Sequence, residues 1–111
     1  MIVTTTNTID GKEVTEYLGI VSGEAILGAH LFKDFFASVR DIVGGRSAAY
    51  ENTMKDAKVI ALKELQDEAL KLQAEALLAI SFHYEVMGKG MMMVSATGTA
   101  VKLKAKAVEQ Y

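Results

Sequence analysis

The stretch 76–103 constrains the fold more than any other part of the chain. Leu78, Ile80, Phe82, Tyr84 and Val86 alternate with Ala79, Ser81, His83, Glu85 and Met87, which is the period of a strand with two unlike faces. Gly88-Lys89-Gly90 follows as a three-residue hairpin loop, and a second alternating run begins at Met91. Setting Met87 opposite Met91 places Val86 against Met92, Tyr84 against Val94, Phe82 against Ala96 and Ile80 against Gly98, large beside small on one face. The other face pairs Glu85 with Met93, His83 with Ser95 and Ser81 with Thr97. A slip of one residue would exchange the two faces, so this register is the expectation. Past Ala100 the apolar phase inverts to Val101, Leu103 and Ala105, with Lys102, Lys104 and Lys106 between them. A bulge, or a strand end that leaves its own sheet, is expected there. The three lysines are spaced to meet phosphates or to blunt an exposed edge.

Residues 2–6 are β-branched and predict a short strand, and residues 7–12, with Asp10-Gly11, a turn. Residues 16–27 predict a strand that is apolar on both faces, Leu18 and Ile20 on one and Tyr17 and Val21 on the other. Such a strand is covered on both sides, and in so small a chain the second cover can be another subunit. In residues 31–43, Phe32, Phe35, Phe36, Val39, Ile42 and Val43 follow helical spacing, and Gly44-Gly45 end that helix. Ser47 is placed to cap a second helix from Ala48 to about Leu72. Its stripe of Met54, Ala57, Ala61, Leu65, Ala69 and Leu72 is rich in alanine, which allows close packing on a sheet. The expected order is β-β-α-α-β-β. This is a two-layer α+β fold, an antiparallel sheet with helices on one face, in one domain over residues 1–111.

Composition narrows the partners. Apolar residues reach 50% before the 9 glycines are counted, above the usual ~45–50% that includes them. That surplus predicts a self-associating chain. A net charge of −2 excludes a strongly basic nucleic-acid or anionic-membrane binder. The absence of cysteine excludes disulfides, thiolate metal sites and cysteine catalysis. The N-terminal residues lack the basic and apolar regions of a signal peptide, and no apolar run reaches membrane-spanning length. A cytoplasmic location with no membrane partner is the expectation.

The segments Glu16-Tyr17-Leu18-Gly19-Ile20-Val21-Ser22-Gly23-Glu24, Asp41-Ile42-Val43-Gly44-Gly45-Arg46-Ser47, Tyr50-Glu51 and Val94-Ser95-Ala96-Thr97-Gly98-Thr99-Ala100-Val101, in this order and spacing, resemble the YbjQ-like family. These are small bacterial proteins without an established activity that carry a heavy-metal-binding label. The resemblance runs from about Met1 to Lys104. It implies a dodecin-subunit-like fold and a ring-shaped homo-oligomer, a pentamer. Where the family pattern carries acids in an Asp-x-Asp-Tyr-Glu-like strand, this chain has Ser81 and His83. A metal or polar site built on those acids is therefore altered here.

Three clusters are candidate sites. His83 and Glu85 share a strand face with Ser95 and Thr97 across the hairpin. An imidazole and a carboxylate at that spacing can ligate a divalent metal such as Zn²⁺, and the same face can equally be a polar subunit interface or a solvated surface. His30 and Asp34, four apart, can share a metal or simply hydrogen-bond at a helix start. Gly44, Gly45, Arg46 and Ser47, ahead of a long helix, offer N–H groups and a guanidinium to a small anion, although the same residues suit a tight helix–helix turn. Glu24 joins this third set as a partner for Arg46, which could equally pair with Glu51 or a carboxylate of the next subunit. Met91, Met92 and Met93 alternate in direction and cannot converge on one copper ion. No nucleophile, base and orienting group stand together, so a non-enzyme is expected. The functional expectation is a homo-oligomer, pentameric by the resemblance, that binds a small anionic ligand or serves as an assembly. Divalent metal binding is the alternative, with no other cofactor and no nucleic acid.

Overall fold

The computed structural model describes residues 1–27, 48–88 and 91–107, and of residues 48–53 the backbone alone. Four strands, β1 (Ile2–Val3), β2 (Lys12–Leu27), β3 (Ala76–Gly88) and β4 (Met91–Ala105), form one sheet in the order β1-β3-β4-β2. One helix is present among the described residues, α1 (Ala48–Lys71). The helix expected over residues 31–43 lies outside them. The sheet is mixed rather than antiparallel throughout, because β1 runs parallel to β3 while β4 is antiparallel to both β2 and β3. The Thr4 N–H donates to the Leu77 carbonyl at 3.0 Å, and the Ile80 N–H to the Thr4 carbonyl at 3.1 Å.

The hairpin register follows the large-beside-small pattern. Ser81↔Thr97, Phe82↔Ala96, His83↔Ser95, Tyr84↔Val94, Glu85↔Met93 and Val86↔Met92 are partners as expected. The turn differs: an irregularity between Val86 and Gly88 makes Gly88↔Met91 the closing pair, in place of Met87 with Met91. A second irregularity separates Leu78 from Ser81. There Ala79 takes a left-handed φ of 54° and donates its N–H to the Thr6 carbonyl at 2.9 Å. That extra residue re-aims the strand, so Leu77 and Ile80 both join the helix-side core while Leu78 points to the other face.

No irregularity lies in β4 at the phase inversion past Ala100; the paired strands carry the bulges instead. The cover changes sides. Val94, Ala96 and Ala100 face α1, whereas Val101 packs on the opposite face with Ala76 and Leu78, roofed by Ile9, Val14 and Leu103. The β2 faces also differ from expectation. Bulges between Val14 and Glu16 and between Tyr17 and Gly19 put Leu18 with Val21 on the helix side. Tyr17 and Ile20 are left together on the open side.

Ala57, Ala61, Leu65 and Ala69 of α1 are at most 1% exposed, four apart and so on one helical face. The alanines bring the helix down onto Gly23. A Cβ at Gly23 would overlap the Ala61 carbonyl oxygen and the Leu65 nitrogen. Small residues on helix and strand thus set the distance between the layers. Beyond this contact the helix leaves Phe82 half-buried and Tyr84 exposed, and Lys58 Nζ lies 5.9 and 5.8 Å from their ring centroids. At its C-terminus the Gln73 N–H donates to the Leu70 carbonyl and the Ala74 N–H to the Ala69 carbonyl, with Gln73 at φ 62°. This is a Schellman cap that satisfies two of the orphan carbonyls. Lys71 in the last turn donates to Glu68 at 2.8 Å, and that hydrogen bond and charge hold its ammonium above the usual lysine range. Among the described residues no helix is long and apolar enough to cross a membrane.

Candidate functional site

The face of the sheet opposite α1 carries the polar cluster. Alternation along β3 turns Ser81, His83 and Glu85 away from the helix, and their β4 partners are Thr97, Ser95 and Met93. Those three β4 residues pair in turn with Ser22, Glu24 and Ile26 of β2. Three rows therefore cross the sheet: Ser81–Thr97–Ser22, His83–Ser95–Glu24 and Glu85–Met93–Ile26. Neighbouring strands lie roughly 4.8 Å apart, so the His83 and Glu24 backbones are separated by about 10 Å. Both side chains rise from one face with a serine between them. Ser81 Oγ lies 3.4 Å from His83 Nε2 and 3.1 Å from Thr97 Oγ1, a hydroxyl chain that leads from the imidazole to the next strand.

The cluster is open to water: Ser22, Glu24, Ser81, His83 and Glu85 are exposed, while Ser95 and Thr97 are half-buried. It offers an imidazole, two carboxylates and hydroxyls, with the thioether of Met93 one row away. Such donors suit a borderline divalent ion better than a soft one, since the chain has no cysteine. Among the described residues no three His, Asp or Glu side chains converge closely enough to hold a metal by themselves. The central row offers one imidazole and one carboxylate, from the two strands that flank β4.

His83 and Glu85 stand where the alternation placed them. Glu24, expected as a partner for Arg46, stands on the His83 row, and Arg46 lies outside the described residues. Gly44, Gly45, Ser47, His30 and Asp34 lie outside them too. The juxtaposition of Glu24 with His83 was hidden from sequence reasoning because it depends on β4 lying between β2 and β3. The available signal was the alternation of Ser22, Glu24 and Ile26 with Gly23, Ala25 and Leu27. It identifies a face without naming the neighbour.

Apolar groups border these rows. Tyr17, Ile20 and Ile26 on the same side of β2 are 74%, 84% and 55% exposed. Tyr17 and Ile20 stand together on this face, and Ile26 stands apart from them beyond Ser22 and Glu24.

Residues 1–104 match a family model, YbjQ_1, described as "Putative heavy-metal-binding". A UPF0145 protein of Geobacillus kaustophilus is 53% identical over 105 residues, which are 95% of this chain and 100% of that protein. A UPF0145 protein of Bacillus cereus is 53% identical over 103 residues, 93% of this chain and 100% of that protein. Among solved structures, a Pediococcus pentosaceus protein of unknown function from the DUF74 family superposes with a TM-score of 0.56 at 15% identity, covering 94% of this chain and 98% of the other. That likeness concerns the fold.

Proposed function

The chain belongs to the YbjQ family, and from that premise we propose that it works as a non-catalytic subunit of a homo-oligomeric ring, a pentamer of dodecin-like subunits, that holds a small ligand. One observation carries the assembly: α1 covers one face of β2 and leaves large apolar residues exposed on the other. These are Tyr17, Ile20 and Ile26. Among the described residues, no strand pairs with the outer edge of β2 along its 16 residues. A long uncovered edge beside exposed apolar residues is what a second copy of the same chain would cover. Replacing Ile20, 84% exposed, with lysine is expected to lower the association state by at least one step with the circular dichroism spectrum unchanged. Sedimentation velocity reads that shift. Full association in the double variant Ile20→Lys/Ile26→Lys would remove this face from the interface.

The row His83–Ser95–Glu24 favours a second reading, binding of a divalent metal, in keeping with the family's description. Two protein ligands per subunit need completion by water or by a neighbouring copy. Zn²⁺ added to tag-free protein is expected to raise the melting temperature, and His83→Ala and Glu24→Gln each to weaken binding roughly tenfold or more. The absence of a thermal shift with Zn²⁺, Ni²⁺ or Cu²⁺, together with less than one metal per oligomer by elemental analysis, would end this reading. A site shared on a ring axis binds less than one ion per subunit, so the molar mass is measured first.

A further inference from the structure

The β1–β2 loop and the far end of the β2–β4 ribbon enclose a cleft of about 280 Å³. Its floor is apolar: Ile9, Val14, Leu78 and Leu103 line it, around the small core on the face away from α1. The ring of Tyr17 forms one wall and is 74% exposed. The rim is polar, with the Asn7 amide, the Thr8 hydroxyl and the ammonium groups of Lys12 and Lys106. Glu13, the one carboxylate among the described lining residues, is drawn toward Lys104, 3.7 Å from its Nζ. Neither Lys12 nor Lys106 has an ion-pair partner among the described residues. The cleft therefore joins a positive rim to an apolar floor.

Its walls are held in place before any ligand arrives. The Lys12 N–H donates to the Ile9 carbonyl at 3.1 Å, and the Lys106 N–H to the Gly11 carbonyl at 3.0 Å. The loop is braced by the Thr6 hydroxyl, which donates to the Thr8 carbonyl at 2.6 Å. Lys106 is thus tied across to the β1–β2 loop and Lys12 to the turn that leads into it, and preorganisation of this kind lowers the ordering cost of binding.

We propose that this cleft binds a small carboxylic acid with one flat ring, its carboxylate between Lys12 and Lys106 and its ring between Tyr17 and the Val14–Leu103 floor. The volume suits a single-ring molecule rather than a nucleotide. A bare inorganic anion would gain nothing from the floor, and a neutral aromatic nothing from the rim. The site does not use the metal row, and it shares Tyr17 with the face proposed to meet a second copy.

Phenylacetate is a suitable probe, with phenylacetamide and inorganic phosphate as its neutral and ringless counterparts. Amide-resolved NMR of the full chain is expected to show saturable shifts at Tyr17, Leu103 and Lys106 with phenylacetate. Phenylacetamide and phosphate should each bind at least tenfold more weakly. Lys12→Gln and Lys106→Gln should each raise the phenylacetate Kd about three- to tenfold with an unchanged melting temperature, and added salt should weaken binding. Lys63→Gln, on α1 at the other face of the sheet, should leave the Kd as it is. No saturable shift at these residues, equal binding of phenylacetamide or phosphate, or a loss of binding in Lys63→Gln would each overturn the assignment.

Discussion

Gly23→Ala is expected to destabilise the fold by about 3 kcal/mol or more, near or beyond the upper end of ordinary overpacking. The added methyl would meet the Ala61 carbonyl oxygen and the Leu65 nitrogen, and both belong to helix backbone. A side chain can change rotamer to make room, but a helix must move as a body. Lifting α1 would part Ala57, Ala61, Leu65 and Ala69 from Val21, Ala25, Val94 and Ala96, all in one core. Gly98 provides the comparison. A Cβ there comes within 3.1 Å of Ile80 Cγ1, a side-chain atom able to shift, so Gly98→Ala is expected to cost much less. Urea denaturation of the two variants at one protein concentration checks the ranking. Equal costs would show that α1 does not sit on Gly23 as described.

Leu65→Ala is the second large effect, with an expected loss of about 3 kcal/mol within the 2–5 kcal/mol of buried leucine truncations. Leu65 is fully buried, and it stands between Ala61 and Ala69, the neighbours on its own stripe. Alanines on both sides have no side chain long enough to fill the space it would leave. Val59, on the outer side of the same helix and 65% exposed, should lose no more than about 0.5 kcal/mol on truncation to alanine. If the two variants melted together, the face assigned to the core would be wrong. Because an oligomer's stability depends on concentration, all these comparisons are made at fixed protein concentration.

Parts of this architecture were legible in the residues because their causes are local. Six pairs of the hairpin, from Ser81↔Thr97 to Val86↔Met92, follow from alternation and from large residues facing small ones. The alanine stripe of α1 likewise announced a close approach, although Gly23 as its target did not. The bulge at Ala79 was not legible. Alanine carries no sign of a left-handed φ, and the cause lies in the Thr6 carbonyl, far away in sequence. The inversion past Ala100 is visible in the residues, and it suggests a bulge or a strand end that leaves its sheet; neither interrupts β4 there. Periodicity reports which side of a strand is apolar and not where the cover sits, and here the cover passes from α1 to Ile9 and Val14.

The candidate site divides along the same line. His83 and Glu85 share a face by period two alone. The alignment of Glu24 with His83 required the strand order β3-β4-β2, which local pattern does not encode. The exposed face with Tyr17, Ile20 and Ile26 also depended on the bulge beside Gly19, which moved Tyr17 to the side of Ile20. The apolar surplus predicts a covered second face, and in the structure Tyr17, Ile20 and Ile26 are the exposed apolar residues on that side of β2.

The central claim is that a second copy of the chain covers this face, and the most direct test is the molar mass of the untagged protein at micromolar concentration. Light scattering coupled to gel filtration should give one species at five times the 12.0 kDa chain, about 60 kDa. A single peak at the mass of one chain would contradict the account.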